Sequence, residues 1–161
     1  MQMNKPYVAG VALEGRNAHE AGRELLRRMY RELCGEACPE IRIAERGKPY
    51  FADSQWHFSI SHTKNHVFCA LSQSNVGLDA EETDRQVNLR LAEKILSETE
   101  MARFEGASDK SAALLKLWVL KEASVKLTGE GLRGYPNHTD FSPDDPRVKE
   151  MDGCYVAVLE E

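Results

Sequence analysis

Residues 77–81, Gly-Leu-Asp-Ala-Glu, are the stretch from which the interpretation of this chain starts. Side chains alternate between the two faces of a β-strand, so Asp79 and Glu81 would share one face. Leu78 and Ala80 would then point to the opposite face and into a core. The stretch therefore predicts a half-buried strand that carries two carboxylates on one side.

A second informative stretch is residues 118–126, Trp-Val-Leu-Lys-Glu-Ala-Ser-Val-Lys, within a long helical pattern. From residue 112 to residue 127 this pattern is apolar on nearly every side, which predicts a buried helix. Charged side chains on a buried helix need partners, so Lys121, Glu122 and Lys126 are not expected to be plain surface residues. Glu122 and Lys126 are four positions apart and would share one helix face.

The two stretches together suggest a metal and phosphate site. Asp79, Glu81 and Glu122 supply three oxygen ligands, which suit a hard divalent ion such as Mg²⁺. Lys126 could then hold a phosphate beside the metal. Taken singly, each motif favours a bland alternative, because a Glu–Lys pair on a helix is usually a solvated salt bridge worth a few tenths of a kcal/mol. The apolar surroundings of Glu122 favour the chemical interpretation instead.

Composition limits the class of protein. The chain has 161 residues, 42% of them hydrophobic and 29% charged, which is typical of one globular domain or of two small lobes. A net charge of −5 argues against broad nucleic-acid binding. The sequence shows neither a membrane-spanning apolar run nor a signal peptide, so we expect a cytoplasmic protein with no membrane partner. The four cysteines lack paired spacing and are expected to be free thiols.

The pattern of elements predicts an α+β fold, because the strands follow one another as hairpin-like neighbours rather than as βαβ units. Ser97 and Glu100 form a capping-box pattern, Asp109 is expected to cap the buried helix, and Gly129 to end it. Strands are predicted at residues 7–13, 41–43, 58–61, 67–71, 76–81, 135–141 and 155–159. Helices are predicted at residues 18–33 and 89–96. A short helix is expected to begin at residue 97, and the long buried helix is expected to lie between its caps, Asp109 and Gly129.

Four blocks in order resemble the signature blocks of the 4′-phosphopantetheinyl transferases, in the surfactin-synthetase-activating branch. These are Gly-Lys-Pro-Tyr at residues 47–50, Phe-Ser-Ile-Ser-His at 58–62, and the two stretches above. The resemblance covers residues 22–141. It implies one transferase domain over residues 1–161, built as a pseudo-twofold pair of small α+β lobes, with an N-terminal lobe at about 1–55 and a C-terminal lobe at about 56–161.

The resemblance also implies an activity. Members of the family transfer 4′-phosphopantetheine from coenzyme A to a serine of an apo acyl or peptidyl carrier protein and release 3′,5′-ADP. By position, Asp79, Glu81 and Glu122 would bind the Mg²⁺ that bridges the coenzyme A pyrophosphate. Lys126 would hold the α-phosphate. Glu122 is also the favoured candidate for the general base that deprotonates the carrier serine.

The nucleotide end of coenzyme A has its own implied contacts. Ser61 and His62 would contact the region of the 3′-phosphate, and Lys48 would add positive charge there. The segment between the first strand and the first helix, residues 14–17, lacks the lysines that related transferases carry. Arg16 is the expected substitute, with Arg23 as the alternative.

The N-terminal strand–helix–strand and the 47–50 block favour a compact two-lobe monomer. The length of the chain would also allow a trimer like that of the acyl-carrier-protein synthase branch, which is the alternative. Two other functions compete with the transferase. A metal-dependent phosphohydrolase could use the same carboxylates without a carrier protein. A non-catalytic carrier-protein-binding relative would have no reason to keep buried charges that cost stability.

Overall fold

The computed structural model describes residues 5–129 and 139–161 and confirms an α+β fold. The strands are β1 (Tyr7–Ala12), β2 (Ile41–Ile43), β3 (Pro49–Phe51), β4 (His57–His62), β5 (His66–Ser72), β6 (Val76–Glu82), β7 (Val148–Met151) and β8 (Cys154–Glu160). The helices are α1 (Ala18–Cys34), α2 (Ala92–Ile95), α3 (Glu98–Glu105) and α4 (Lys110–Thr128), and a 3₁₀ turn (Leu89–Leu91) precedes α2. In these two ranges we find no helix with the length and apolar character needed to cross a membrane.

Two antiparallel three-stranded sheets form the body of the molecule. The first has the order β1-β5-β4 and the second the order β6-β8-β7, while β2 and β3 form a separate hairpin. The hydrogen-bonded sheets therefore divide between β5 and β6. The division into lobes near residue 55, which the family resemblance implies, stays a prediction.

Apolar side chains form three clusters that position these elements. Helix α1 packs on the first sheet through residues such as Leu26 and Met29, and α4 packs on the second sheet through Leu117 and Leu120. The third cluster lies between strands of the two sheets and comprises Phe68, Ala70, Val76, Leu78, Ala80, Cys154 and Val156. Strand β6 thus has one face against this cluster and the other face against α4.

Helix ends follow the predicted capping residues closely. The Ser97 hydroxyl accepts a hydrogen bond from the Glu100 amide, and the Glu100 carboxylate accepts one from the Ser97 amide, which completes the capping box. Asp109 accepts from the Ala112 amide at the start of α4. Gly129 ends α4 in the left-handed region, at φ 72°, where a side chain would be strained.

Some elements differ from their predictions. The helix predicted at 89–96 is split into the 3₁₀ turn and the four-residue α2. Strands β3 and β7 were not predicted, since β3 has three residues and β7 is an edge strand with the polar sequence Val-Lys-Glu-Met. Residues 135–138 of the strand predicted at 135–141 lie outside the described residues. Its last part is not a strand, because the Phe141 amide donates to the Glu100 carboxylate instead of to a neighbouring strand.

A buried ion pair explains the charge at position 121 on the apolar helix. The Lys121 ammonium lies 2.6 Å from the Glu100 carboxylate, and both side chains are fully buried. Glu100 also accepts the amide hydrogen bonds of Ser97 and Phe141. The prediction that Lys121 has a partner is confirmed, and the pair joins α4 to α3 inside the core.

Strand β6 and helix α4 approach each other unusually closely at Gly77. A Cβ atom at this position would lie 2.1 Å from the Ala123 carbonyl oxygen and 2.5 Å from the Leu127 amide nitrogen. Real Cβ atoms do not approach backbone atoms so closely, so only glycine fits. This contact brings α4 onto the strand face that carries the predicted carboxylates.

Candidate active site

The carboxylates of β6 lie on the face that is turned toward α4. Gly77, Asp79 and Glu81 alternate along one side of the strand, and Gly77 is the residue in contact with α4. Leu78 and Ala80 belong to the cluster on the other side. The predicted arrangement of the strand, with two carboxylates on one face and core residues on the other, is confirmed.

Asp79 is a buried carboxylate with two polar partners. Its Oδ1 atom lies 3.2 Å from Lys126 Nζ and accepts a hydrogen bond from the Ser61 hydroxyl at 3.1 Å. Burial raises the pKa of Asp79, and the Lys126 ammonium opposes this shift. Three residues singled out from the sequence, on β4, β6 and α4, therefore meet at one point.

Glu81 lies one strand step further along the same face. The Arg85 guanidinium forms an ion pair with its carboxylate, and Trp118 donates a hydrogen bond to it from α4. Burial raises the pKa of Glu81, Arg85 lowers it, and the nearby charge of Asp79 raises it again. Each carboxylate on this face is thus harder to ionise than in water.

The two contacts made by α4 locate Glu122. Trp118 contacts Glu81, and Lys126 contacts Asp79, four residues before and four residues after Glu122. Residues four apart lie on one face of a helix, so Glu122 shares the face that is turned toward the two carboxylates. Its side chain is half-buried. The helix spacing therefore places Glu122 on the α4 face between these two contacts, while the ligand atoms of Asp79, Glu81 and Glu122 do not all lie within 4.8 Å of one another.

The chemistry of this donor set fits a divalent cation. Burial raises the pKa of both Asp79 and Glu81, and their mutual repulsion adds to this effect at Glu81. A bound cation offsets desolvation and repulsion together, because it stabilises the charged form of each carboxylate. Oxygen ligands with neighbouring space for phosphate oxygens and water suit Mg²⁺.

A cleft of about 250 Å³ opens beside Lys126. Its wall contains the 47–50 block and β4, including Lys48, Pro49 and Ser59, and Lys126 lines it from α4. Lys48 donates hydrogen bonds to Asn75 at 2.8 Å and to the Leu127 carbonyl at 2.9 Å. Burial lowers the pKa of Lys48. The two predicted phosphate-binding lysines therefore face one cleft.

The remaining predicted residues lie apart from this cleft. His62 is exposed at the end of β4 and lines a second cleft, of about 560 Å³, together with Glu81 and Arg85. Arg16 donates hydrogen bonds to the carbonyls of Ala12 and Leu13 at the end of β1. It serves the turn into α1, and its contacts involve neither carboxylate of β6.

Two contacts of the site were not anticipated from sequence. Arg85 pairs with Glu81 four residues earlier, a spacing that usually indicates a helix and here joins a strand end to the loop after it. Asn75 accepts from Lys48 and donates to the Leu127 carbonyl at 2.7 Å, so it links the 47–50 block to the end of α4. Neither residue belongs to a recognisable motif. Arg85 is placed by the turn after β6, and Asn75 links elements that come together through the packing of β6 on α4.

Comparison with known proteins agrees with this geometry. The model of the 4′-phosphopantetheinyl transferase superfamily matches residues 75–153, the segment that contains β6, α4 and β7. Over this segment, which is just under half of the chain, the sequence is similar to the 4′-phosphopantetheinyl transferase superfamily, and this agrees with the resemblance of the signature blocks.

Several curated relatives carry transferase names. The chain is 34% identical over 94 residues to the 4′-phosphopantetheinyl transferase gsp of Aneurinibacillus migulanus, covering 57% of this chain and 39% of the relative. It is 33% identical over 98 residues to the 4′-phosphopantetheinyl transferase Sfp of Bacillus subtilis (strain 168), covering 58% and 43%. A holo-[acyl-carrier-protein] synthase of Shewanella pealeana is 39% identical over 70 residues, covering 40% and 53%. The matched region thus spans about half, or less, of each of these relatives.

Proposed function

We propose that the chain is a Mg²⁺-dependent 4′-phosphopantetheinyl transferase, a holo-carrier-protein synthase that uses coenzyme A. The observation that carries the proposal is the contact of Lys126 with Asp79, which joins the two signature stretches at one point. An ordinary surface salt bridge would lack three features of this contact. The Asp79 carboxylate is buried, Ser61 on β4 donates a hydrogen bond to it, and Gly77 allows α4 to lie close to β6. The match of residues 75–153 to the superfamily model supports the same activity.

In the proposed site, Asp79, Glu81 and Glu122 hold the metal. When bound, Mg²⁺ would neutralise the pyrophosphate charge of coenzyme A. The protein's own task is to align these groups, since phosphoryl transfer depends mainly on positioning and on charge stabilisation. Ser61 fixes Asp79 by its hydrogen bond, and Trp118 fixes Glu81, so both carboxylates have defined orientations.

Lys126 has a second role in the proposal. Its ammonium lines the cleft of about 250 Å³ and contacts Asp79 at the same time. A phosphate entering the cleft would share this ammonium with the carboxylate. Lys126 therefore connects the phosphate subsite to the metal subsite, which is the role that a lysine one turn after Glu122 was predicted to have.

Glu122 is the proposed general base for the carrier serine. It lies on the α4 face between the residues that contact Asp79 and Glu81, and it is half-buried. A carboxylate near a metal and a lysine is a weak base, because both positive neighbours favour its ionised form. It can still accept the serine proton when the hydroxyl is acidified beside the phosphate, or through a relay water.

Binding of the nucleotide end is proposed to rest on few groups. Lys48 lines the same cleft as Lys126, whereas His62 lines the neighbouring cleft, and Arg16 contacts carbonyls of its own turn. We therefore expect weak discrimination between coenzyme A and its 3′-dephospho form. Each charge-assisted hydrogen bond that is lost is worth roughly 1.5–3 kcal/mol, about tenfold or more in affinity.

Calorimetric titration with both forms measures this discrimination. A strong preference for coenzyme A would show that other groups read the 3′-phosphate. The variant Lys48→Met, compared with Lys64→Met on the exposed turn after β4, would report how much of the preference comes from Lys48.

The partner in the proposal is an apo acyl or peptidyl carrier protein, acted on by a cytoplasmic monomer, with a trimer as the alternative assembly. The decisive test incubates the protein with coenzyme A, Mg²⁺ and a panel of apo carrier proteins. The measurement is the mass gain of the phosphopantetheine arm on the carrier protein, detected by intact-protein mass spectrometry.

Three controls separate the competing functions. Omitting the carrier protein and assaying released phosphate or nucleotide tests the phosphohydrolase. Adding a chelator tests the metal requirement. Asp79→Asn should lose the mass gain, whereas Asp144→Asn, an exposed carboxylate before β7, should keep it. Binding of carrier protein without any mass gain, under every condition, would favour the non-catalytic relative.

A further inference from the structure

A cluster of three metal-binding side chains lies at the end of β6, apart from the proposed active site. His66 at the start of β5, Glu82 at the end of β6 and Cys154 at the start of β8 place their ligand atoms within 4.8 Å of one another. Among the described residues, no other three His, Cys, Asp or Glu side chains have their ligand atoms this close to one another. The transferase activity assigns no role to any of them.

The cluster lies on the opposite face of β6 from the predicted carboxylates. Glu82 follows Glu81 directly, so strand alternation turns its side chain away from α4. Cys154 is buried in the apolar cluster between the sheets, while the side chains of His66 and Glu82 are 20% and 16% exposed. The two sets of ligands therefore lie on opposite faces of one strand, although Glu81 and Glu82 both line the cleft of about 560 Å³ at its end.

The distances within the cluster suit a small tetrahedral ion. His66 Nδ1 lies 3.4 Å from Glu82 Oε2 and 3.8 Å from Cys154 Sγ. Tetrahedral zinc with its usual bond lengths to nitrogen, oxygen and sulfur needs ligand separations of about 3.3–3.6 Å. Cys154 Sγ and Glu82 Oε2, now hydrogen-bonded at 2.6 Å, would have to separate by about 1 Å.

Neighbouring side chains orient the glutamate, as the outer partners of a metal ligand do. The Thr63 hydroxyl donates to Glu82 Oε2 at 2.7 Å, and the Asn65 amide donates to Glu82 Oε1 at 2.8 Å. Such partners fix the carboxylate and are worth about 10–100-fold in metal affinity. Both residues line the cleft of about 560 Å³, and Glu82 lines it too, so an ion has a path from solvent.

We propose that His66, Glu82 and Cys154 bind a borderline-soft divalent cation of the zinc class. A thiol, an imidazole and a carboxylate are the ligand types that zinc takes, whereas Mg²⁺ requires oxygen ligands. On binding, the Cys154 S–H bond breaks and a sulfur–metal bond forms, with the proton released to solvent. A water from the cleft would complete the fourth position.

Such a site would connect the two large sheets. His66 belongs to the first sheet, and Glu82 and Cys154 belong to neighbouring strands of the second. A bound ion would therefore hold the sheets together at the open end of the core between them. Metal that binds the folded chain stabilises it by mass action, and this effect does not depend on transferase activity.

Cobalt(II) provides the sharpest test, because a thiolate–cobalt bond gives a charge-transfer band in the near ultraviolet. We expect one equivalent of cobalt(II) to give this band in the 161-residue chain, and zinc to remove it by competition. Cys154→Ser should abolish the band, and Glu82→Gln and His66→Asn should weaken cobalt binding by about 10-fold or more. Cys38→Ser and Asp79→Asn are the matched controls and should leave the band unchanged.

A second measurement guards against misfolded variants. Zinc should raise the thermal unfolding temperature of the unaltered protein and of Asp79→Asn, but not that of Cys154→Ser, with circular dichroism confirming that each variant is folded. The proposal is overturned if the unaltered protein shows no band at equimolar cobalt(II), or if the band persists in Cys154→Ser. It is also overturned if excess Mg²⁺ removes the band as readily as zinc does.

Discussion

Lys126 Nζ lies 3.2 Å from Asp79 Oδ1, although the two residues are 47 positions apart in the chain. The lysine comes from the last turn of the buried helix α4, and the carboxylate comes from the middle of strand β6. Asp79 is almost fully buried, and about one-third of the Lys126 side chain is exposed. The lysine therefore reaches from the open cleft to the buried carboxylate and connects the two halves of the proposed site.

Asp79→Ala should abolish transfer while the protein stays folded. Loss of one carboxylate ligand weakens metal binding and misplaces the pyrophosphate, which should cost on the order of 10²-fold or more in rate. Because burial disfavours the charged form of Asp79, its removal should cost little folding stability. Carrier-protein mass gain and thermal unfolding, measured together, check both parts. Activity like that of the unaltered protein at low Mg²⁺ would contradict the metal assignment.

Glu122→Gln should distinguish a role of Glu122 as general base from a role as metal ligand only. The substitution keeps the shape of the side chain and removes its ability to accept the serine proton. We expect coenzyme A affinity within about tenfold of the unaltered protein and the loss of most turnover. Calorimetry and single-turnover assays give the two quantities. If excess Mg²⁺ restored both binding and turnover, Glu122 would be a ligand alone, and Glu81 would become the next candidate for the base.

Gly77→Ala should damage the site without touching any polar group in it. The new Cβ would meet backbone atoms of Ala123 and Leu127, which cannot rotate away, so α4 must move off β6. Overpacking of this kind costs about 1–3 kcal/mol, and the shift would separate Lys126 from Asp79. Urea unfolding and the transfer assay should both show the loss.

Gly106→Ala is the control for the glycine substitution. A Cβ at Gly106 would meet its nearest atom, the Ala102 carbonyl oxygen, at 3.5 Å, an ordinary contact, and its φ is −81°. This variant should keep both stability and activity. Equal behaviour of the two alanine variants would show that the approach of β6 and α4 at Gly77 is not what positions the site.

Lys121→Met should destabilise the fold strongly, because it leaves Glu100 buried without its cation. Removing one member of a buried ion pair typically costs about 3–5 kcal/mol. Adding Glu100→Gln should recover part of the loss, since glutamine is neutral and its single carbonyl oxygen can still accept one of the two amide hydrogen bonds, from Ser97 or from Phe141. Denaturant unfolding measures both variants. Lys116→Met, at a half-buried position of the same helix, should cost far less.

Local patterns allowed much of the fold to be predicted. The alternation of side chains predicted the common face of the β6 carboxylates, and the apolar surface of α4 predicted the burial of this helix. Asp109 and Gly129 predicted the two ends of α4. Each of these features is decided by residues that are close in sequence. The Lys121 partner could be expected but not named, since burial demands a counter-charge without saying which one.

Tertiary contacts account for what the sequence did not reveal. The short strands β3 and β7 form because a neighbouring strand is available, and their own sequences are too brief or too polar to indicate it. Asn75 joins the site through packing, Arg85 joins it through the turn after β6, and neither lies in a recognisable motif. The cluster of His66, Glu82 and Cys154 combines three distant segments, so no spacing along the chain predicts it.

Strand β6 carries two chemically different ligand sets back to back, with Asp79 and Glu81 on one face and Glu82 on the other. Its register against β8 pairs Glu81 with Tyr155 and Glu82 with Cys154. A slip of one residue would exchange the faces, bringing Glu82 toward α4 and a carboxylate of the oxygen set toward the thiol. An insertion or deletion of one residue between β5 and β6 that shifted the register of β6 would therefore disable both proposed sites at once. The length of this turn should accordingly tolerate change far less than its sequence does.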